Sequence, residues 1–173
     1  MNKIFIKSQI GVVILLLHIA CQNHSDKYLE SGKQKCKLGD LSGALADLNE
    51  SIKNNPKNSI AYCLRGEINS RKGLYDTAVS DFNKAIAINP NEGIFYEQRA
   101  INLAKLDRLE ESLIDCNKAI QLIPNDGKKY FFRGIVRYTL RDSIGGCEDL
   151  NIAITLGYED ARTHFKEACG KSN

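Results

Sequence analysis

The stretch "SIAYCLRGEINSRKGLYDTAVSDFNKAIAINPNE" (59–92) indicates the fold most clearly, because two helical patterns follow one another within it and a proline lies near its end. The first pattern places the small residue Gly66 four residues after Tyr62, and a small residue lets a neighbouring helix come close. The second pattern repeats apolar residues at helical spacing, at Ala78, Phe82, Ala85 and Ile86. Pro90 then ends the pattern, because proline cannot donate the next helical hydrogen bond. The stretch therefore predicts a pair of short amphipathic helices joined by the break "KGLY".

This pattern occurs four times, at a constant period of 34 residues and without a gap. The four units cover 25–58, 59–92, 93–126 and 127–160. The positions in register include tyrosines, small residues and prolines: Tyr28, Tyr62, Tyr96 and Tyr130; Gly32, Gly66, Ala100 and Gly134; Pro56, Pro90 and Pro124. Because two short amphipathic helices cannot bury their apolar faces alone, the units are expected to stack into a solenoid.

The four units resemble the tetratricopeptide repeat, and the resemblance covers residues 25–160. It implies an all-α fold, a right-handed superhelical solenoid of four helix-turn-helix units with a C-terminal capping helix. The fourth unit departs from the pattern, since Gly146 replaces an alanine and Tyr158 replaces the proline. These departures are typical of the end of a repeat array.

A closing helix is predicted at 159–169, where apolar residues form one stripe: Ala161, Phe165, Ala168 and Cys169. Similar closing helices cover the last exposed face in this family. The predicted repeat domain therefore spans 27–169 and leaves a tail at 170–173.

The first twenty residues have the three parts of an export signal. Lys3 and Lys7 form a positive start, the run Ile10 to Ala20 is apolar, and a small residue precedes Cys21. The apolar run is too short for a membrane-spanning helix, which needs about 20 apolar residues. The pattern therefore predicts a segment that directs export.

The stretch "LLLHIAC" (15–21) resembles a bacterial lipoprotein box, in which the cysteine is lipidated and becomes the mature N-terminus. His18 stands where that family usually has an aliphatic residue. We therefore expect a signal peptide at 1–20, a lipidated Cys21 and a short tether over 21–26. The expected location is the bacterial cell envelope, on a membrane and facing the periplasm. Ordinary secretion and an uncleaved anchor on a cytosolic scaffold are the alternatives.

Composition argues against several classes of function. Lys3 and Lys7 account for two of the 24 basic residues, so residues 21–173 carry 22 basic and 21 acidic side chains. This near-neutral body has no clustered basic patch for nucleic acid. No Ser/His/Asp or Cys/His arrangement and no Gly-rich phosphate loop appears, and only three histidines are present. We therefore expect no enzyme activity, no cofactor, no nucleic-acid binding and no small-molecule substrate.

Aspartate and arginine recur in register inside the units. The aspartates are Asp47, Asp81, Asp115 and Asp149, and the arginines are Arg65, Arg99 and Arg133. The first unit has Ser31 in the arginine position. If each aspartate pairs with the arginine of the following unit, the first unit needs no arginine of its own, as observed. This predicts the inter-repeat pairs Asp47–Arg65, Asp81–Arg99 and Asp115–Arg133. The alternative is a ligand-binding arginine row. Asparagines also recur in register, and they carry no assigned chemistry: Asn49, Asn83, Asn117 and Asn151.

The cysteines suggest one bridge and no metal site. Cys147 and Cys169 lie at similar distances from a turn near Gly157, so an antiparallel hairpin would bring them side by side. Cys116 has the register of Phe82, which favours a core position. Cys36 and Cys63 are expected to be unpaired on first helices. No close cysteine pair with metal-ligand spacing appears.

The family resemblance implies that the first helices line a concave groove that receives an extended peptide or a partner's helix. The residues on the matching faces are Lys37, Glu67, Arg71, Glu97, Ile101, Lys105, Phe131, Ile135 and Tyr138. They predict a groove with mixed charge in the middle and an apolar C-terminal end. The equal alternative is a solvated face whose aromatic residues are partly covered by the final helix. The carboxylate clamp of one subgroup is not reproduced, because its positions hold Leu29, Lys33 and Leu64.

These observations favour a membrane-tethered scaffold or adaptor that binds proteins and performs no chemistry. The alternatives are an accessory subunit of an envelope enzyme or assembly complex, and a secreted or anchored repeat protein without lipidation.

Overall fold

The computed structural model describes residues 23–170, and every regular element in that range is an α-helix. The predicted signal at 1–20, Cys21 and residues 171–173 lie outside the described residues. The helices are α1 (23–37), α2 (Leu41–Asn54), α3 (Ser59–Arg71), α4 (Tyr75–Ile88), α5 (Gly93–Lys105), α6 (Leu109–Leu122), α7 (Gly127–Thr139), α8 (Ser143–Thr155) and α9 (Ala161–Ala168).

The helices form four pairs that follow the sequence period. We call α1, α3, α5 and α7 the first helices, and α2, α4, α6 and α8 the second helices. Helices α3, α5 and α7 begin at Ser59, Gly93 and Gly127, the first residues of units two to four. The predicted all-α solenoid of four helix-turn-helix units with a capping helix is confirmed.

The turn inside each unit requires a left-handed backbone. Gly39 and Gly73 supply it in the first two units, with φ of 80° and 76°. In the third and fourth units Asp107 and Arg141 hold positive φ values of 59° and 69°. A non-glycine residue in this region is strained, less so for Asp107 than for Arg141, because aspartate tolerates the left-handed conformation better than most residues.

Small residues on the first helices allow close packing of the second helices. A Cβ on Gly66 would lie 2.9 Å from the ring of Phe82, which is fully buried. In the fourth unit a Cβ on Gly146 would lie 3.0 Å from the carbonyl oxygen of Gly134. The glycine that departs from the repeat pattern therefore lets α7 and α8 approach through their backbones.

Each second helix is buried between its own first helix and the next one. Phe82 packs with Cys63 on one side and with Phe95 of the following unit on the other. The same arrangement ends at α9, where Ala161 is fully buried against Leu150. The core is thus a continuous row of such clusters rather than one centre.

Two predicted boundaries differ from the structure. The tether predicted over 21–26 is helical from residue 23, because the buried Ser25 hydroxyl donates to the carbonyl oxygen of Ser51 at 3.0 Å. The closing helix predicted at 159–169 spans Ala161–Ala168, with residues 159–160 in a turn. Among the described helices, none combines the length and apolar character that a bilayer crossing requires.

Candidate functional site

The arginine row lies inside the units rather than between them. Arg65 contacts Asp81, Arg99 contacts Asp115 and Arg133 contacts Asp149, at N–O distances of 2.6, 2.7 and 2.6 Å. The predicted inter-repeat pairs Asp47–Arg65, Asp81–Arg99 and Asp115–Arg133 are therefore wrong. Each guanidinium faces the second helix of its own unit, where the carboxylate is almost fully buried.

The contacts between neighbouring units that were predicted for the aspartates are made by asparagines. Nη1 of each arginine donates to the Oδ1 of an asparagine in the preceding unit, at 2.8, 2.6 and 2.9 Å: Arg65–Asn49, Arg99–Asn83 and Arg133–Asn117. The guanidinium therefore bridges two units through one ion pair and one neutral hydrogen bond. The recurrence of asparagine at one register is the sequence signal for this role.

The first unit replaces the arginine with two other donors. Ser31 donates to Asp47 at 2.6 Å, and Lys35 lies 2.7 Å from the same carboxylate. The hydrogen bonds from Lys35 and Ser31 lower the pKa of Asp47. The first unit therefore lacks an arginine because Ser31 and Lys35 contact Asp47, and not because Asp47 pairs with an arginine of the second unit.

The three arginines also stack on the tyrosines of their own helices. Each guanidinium carbon lies 5.4 to 5.7 Å from a ring centroid: Arg65 on Tyr62, Arg99 on Tyr96 and Arg133 on Tyr130. With a carboxylate, an asparagine and an aromatic ring around each guanidinium, this row serves the scaffold.

The groove residues form stripes along adjacent first helices. On α5 the stripe runs through Ile94, Glu97, Ile101 and Lys105, at the spacing of one helix face. The C-terminal cations of the stripes, Lys37, Arg71 and Lys105, are exposed. Within residues 23–170 none of the three forms an ion pair. They make a row of available positive charge, which we call the cation row.

Exposed isoleucines near the starts of the stripes were missed by the sequence analysis. Ile60 and Ile94 are 40% and 36% exposed, and they occupy the same register at the starts of α3 and α5. The sequence signal for this surface is an isoleucine that recurs at one register outside the apolar core pattern. With the half-buried Ile101 they extend the predicted groove toward the start of the helices.

Glu97 is buried and carries an ion-pair network instead of facing an open groove. Lys129 and Lys128 lie 2.6 and 2.9 Å from its carboxylate, and Lys129 also lies 2.6 Å from Asp126. Burial lowers the pKa of Lys129, but the hydrogen bonds to Asp126 and Glu97 outweigh it and leave the pKa raised. Glu97 therefore joins α5 to α7, and its charge is already matched.

Glu67 is the groove carboxylate that keeps a free oxygen. Its Oε1 accepts a weak bond from the Cys63 thiol at 3.7 Å, and no second partner is found within the described residues. Burial raises the pKa of Glu67. The hydrogen bond from Cys63 and the positive charge of Arg71 act against this rise, and the Glu97 carboxylate adds to it.

The apolar C-terminal end of the predicted groove is partly covered by α9. The ring of Phe131 lies 5.1 Å from that of Tyr158 and 4.9 Å from that of His164. Ile135 belongs to the same cluster, whereas Tyr138 remains 42% exposed. This arrangement matches the alternative in which the final helix covers aromatic residues.

The cysteines fall into bonded and buried groups. The structure joins Cys147 to Cys169, with their Cα atoms 5.8 Å apart. Cys116 and Cys63 are buried, and burial raises the pKa of the Cys116 thiol to about 12 and that of Cys63 as well. Cys36 is half-buried. Since thiolates are the reactive form, Cys63 and Cys116 serve as packing residues.

Comparison with known proteins agrees with this geometry. Residues 60–92 match the family model described as tetratricopeptide repeat. The fold is a tetratricopeptide-repeat solenoid. No match was found among curated proteins.

Three solved structures with this fold illustrate the likeness. A double mutant of MamA RS-1 is 18% identical, with a TM-score of 0.80 over 87% of this chain and 85% of that one. YrrB, described as having an unusual peptide-binding site, is 19% identical, with a TM-score of 0.74 over 83% and 75%. The first tetratricopeptide domain of Spaghetti (RPAP3), bound to the HSP90 peptide SRMEEVD, is 22% identical, with a TM-score of 0.68 over 69% and 95%. At these identities the likeness establishes the solenoid fold alone.

Proposed function

We propose that this protein is a non-catalytic adaptor whose concave groove binds a segment of a partner protein that carries both acidic and apolar side chains. The cation row carries this proposal, because Lys37, Arg71 and Lys105 repeat at one register and have no ion pair within residues 23–170. A cation without a partner, on a surface of ordered helices, complements a carboxylate of another molecule.

The isoleucines supply the apolar part of the same surface. Ile60, Ile94 and Ile101 lie on the stripes that end in Arg71 and Lys105. An extended segment that crosses the first helices would therefore place apolar side chains on the isoleucines and carboxylates on the cation row. Contacts of this kind determine specificity and association rate, so we expect binding to weaken with added salt.

We propose further that Cys21 is lipidated and holds the solenoid at a membrane of the bacterial envelope. The lipoprotein-box resemblance supports this proposal. Since α1 has begun by residue 23, a lipid on Cys21 would hold the repeats close to the membrane surface. An accessory role in an envelope assembly complex is compatible with the same groove. Metabolic palmitate incorporation that disappears in Cys21→Ser would support the anchor, and unchanged incorporation would reject it.

The groove assignment is tested by crosslinking pull-down from membranes. We compare the wild type with Arg71→Glu, and we use Lys84→Glu as the control, since Lys84 is an exposed cation on α4. Loss of a partner in the Arg71 variant alone would support the cation row. A partner set that is the same for all three proteins would reject it.

A further inference from the structure

A groove with apolar walls lies between α8 and α9, at the end of the solenoid and away from the concave groove. It has a volume of about 570 Å³, and its lining includes Ile144, Cys147, Asn151, Phe165 and Cys169. We call it the terminal groove. Its lining combines apolar side chains such as Ile144 and Phe165 with polar ones such as Asn151, a combination that protein-binding surfaces also show.

The repeat shows what the equivalent place holds inside the array. Between the second and third units, Val79 and Asn83 of α4 and Arg99 and Leu103 of α5 border the groove against which α6 packs. Cys147 and Asn151 have the register of Val79 and Asn83 on α8. The side of α8 that lines the terminal groove therefore corresponds to the side of α4 near which the second helix of the next unit, α6, packs.

Helix α9 supplies the other wall, as a first helix would. Ala161 takes the fully buried place that Phe95 takes at the start of α5. Ala161 packs on Leu150 and Ala153 as Phe95 packs on Phe82 and Ala85, which sets α9 two residues off the 34-residue period. In this alignment Phe165 and Cys169 follow Ala161 by four and eight residues, as Arg99 and Leu103 follow Phe95. Helix α9 is therefore the first helix of a fifth unit, and within residues 23–170 no second helix accompanies it.

Two residues make the terminal groove more apolar than its inner equivalents. Phe165 stands where the inner units have an arginine that binds an aspartate of the second helix. Ile144 is 78% exposed, and the same register holds the polar residues Ser42, Asp76 and Glu110 in the other units. Both changes occur where an incoming helix would touch the protein, and both remove the need for a carboxylate on that helix.

We propose that the terminal groove binds one amphipathic α-helix of a different protein, which completes the fifth unit. Lys166 follows Ala161 by five residues, as Ala100 follows Phe95, so the position that is small in the inner units holds a long side chain here. The Cys147–Cys169 bridge fixes the two walls before binding, which lowers the entropic cost of association.

A second copy of this chain is a poor occupant of the terminal groove. Stacking end to end would bring its α1 to the place that α9 already fills. The other described helices of that copy already pack their apolar faces within their own solenoid. The surface is therefore suited to a single helix supplied from outside.

The test uses a labelled peptide that copies α4, residues 75–88, with Asp81→Leu because Phe165 replaces the arginine. Its binding to the full chain, with the disulfide intact, is measured by fluorescence anisotropy. We expect saturable binding that weakens by about ten-fold or more in Ile144→Glu. The matched control Ile114→Glu changes another exposed isoleucine of a second helix and should bind as the wild type does.

Further variants distinguish binding at the terminal groove from binding at the concave groove. The variant Arg71→Glu should leave peptide binding unchanged, since it alters only the concave groove, and the double variant Cys147→Ser/Cys169→Ser should weaken binding. Equal binding to wild type and Ile144→Glu, or no saturable binding to wild type, would overturn the proposal. A dimer of the full chain in light scattering that Ile144→Glu dissociates would also overturn it, because a second copy would then be the occupant.

Discussion

At the scale of single residues, Asn102 is the least satisfied side chain in the described core. It is fully buried, and its Nδ2 donates to the carbonyl oxygen of Gln98 at 2.8 Å, while its Oδ1 finds no partner among the residues that the structure describes. The same register holds Ile68 and Val136 in the neighbouring units. A buried polar atom without a partner lowers stability, so the third unit carries a cost that its neighbours avoid.

Replacing Asn102 with valine should therefore raise the free energy of unfolding by about 1 kcal/mol. Urea denaturation measures the change. Asn69→Leu is the matched control, because Asn69 donates to the buried Asp81 at 3.1 Å and should lose stability instead. Destabilisation by Asn102→Val would contradict this prediction, because it would show that Oδ1 accepts a stabilising hydrogen bond in solution.

Glu67 should make the stability depend on pH. Burial raises its pKa, so the folded protein retains this proton to a higher pH than the unfolded chain does. Stability is therefore lost as the pH rises from the unfolded pKa through the folded pKa. Glu67→Gln should remove this loss and increase stability at neutral pH, as followed by urea denaturation at pH 4 and pH 7. A variant with the same pH dependence as the wild type would contradict this role.

The partners of the arginines show why some contacts could not be predicted from the sequence. Arg65 lies 18 residues after Asp47 and 16 residues before Asp81, so register alone allows either partner. The missing arginine of the first unit fits both pairings, because Ser31 and Lys35 satisfy Asp47 in its place. Only the direction in which the side chain leaves the helix decides between them.

At the scale of elements, the sequence predicted the helices well where the period holds. Proline, glycine and the apolar spacing determine where α2 to α8 begin and end, and these are local properties of the chain. The end of the array was harder to predict, because α9 takes its register from packing on Leu150 and Ala153 rather than from the 34-residue period. The burial of Glu97 likewise depends on the reach of Lys128 and Lys129 from the next unit.

The disulfide should matter mainly for the last helix. Helix α9 has eight residues and only Ala161 is buried in it, so the bond to Cys147 holds it in place. Closing a loop of 22 residues contributes about 3 kcal/mol through the unfolded state. Reduction, or Cys147→Ser with Cys169→Ser, should lower the unfolding temperature and increase hydrogen exchange in α9.

Helices α3 to α6 provide the internal reference for that measurement. Their amide exchange should change little, because units of a solenoid contact only their neighbours. Equal loss of protection along the whole array would contradict a local role for the bridge.

At the scale of the whole molecule, the solenoid presents two separate surfaces. The proposed concave groove carries the cation row, which forms no ion pair within the described residues, beside exposed isoleucines. The terminal groove is lined by Ile144 and Phe165 among others. The rows of arginines, tyrosines and asparagines hold the units in register, and their charges are paired within the scaffold. Under the two proposals above, the protein would hold two partners at a fixed spacing.

The most direct test of the adaptor function is site-specific photo-crosslinking in membranes. A crosslinking amino acid replaces Lys105 in the cation row or Lys84 on the second helix α4, both of which are exposed. We predict one or a few discrete protein adducts from position 105 that decline as salt is raised, and none of the same mass from position 84. Identical adducts from both positions, or none from position 105, would contradict the assignment of the concave groove as the binding surface.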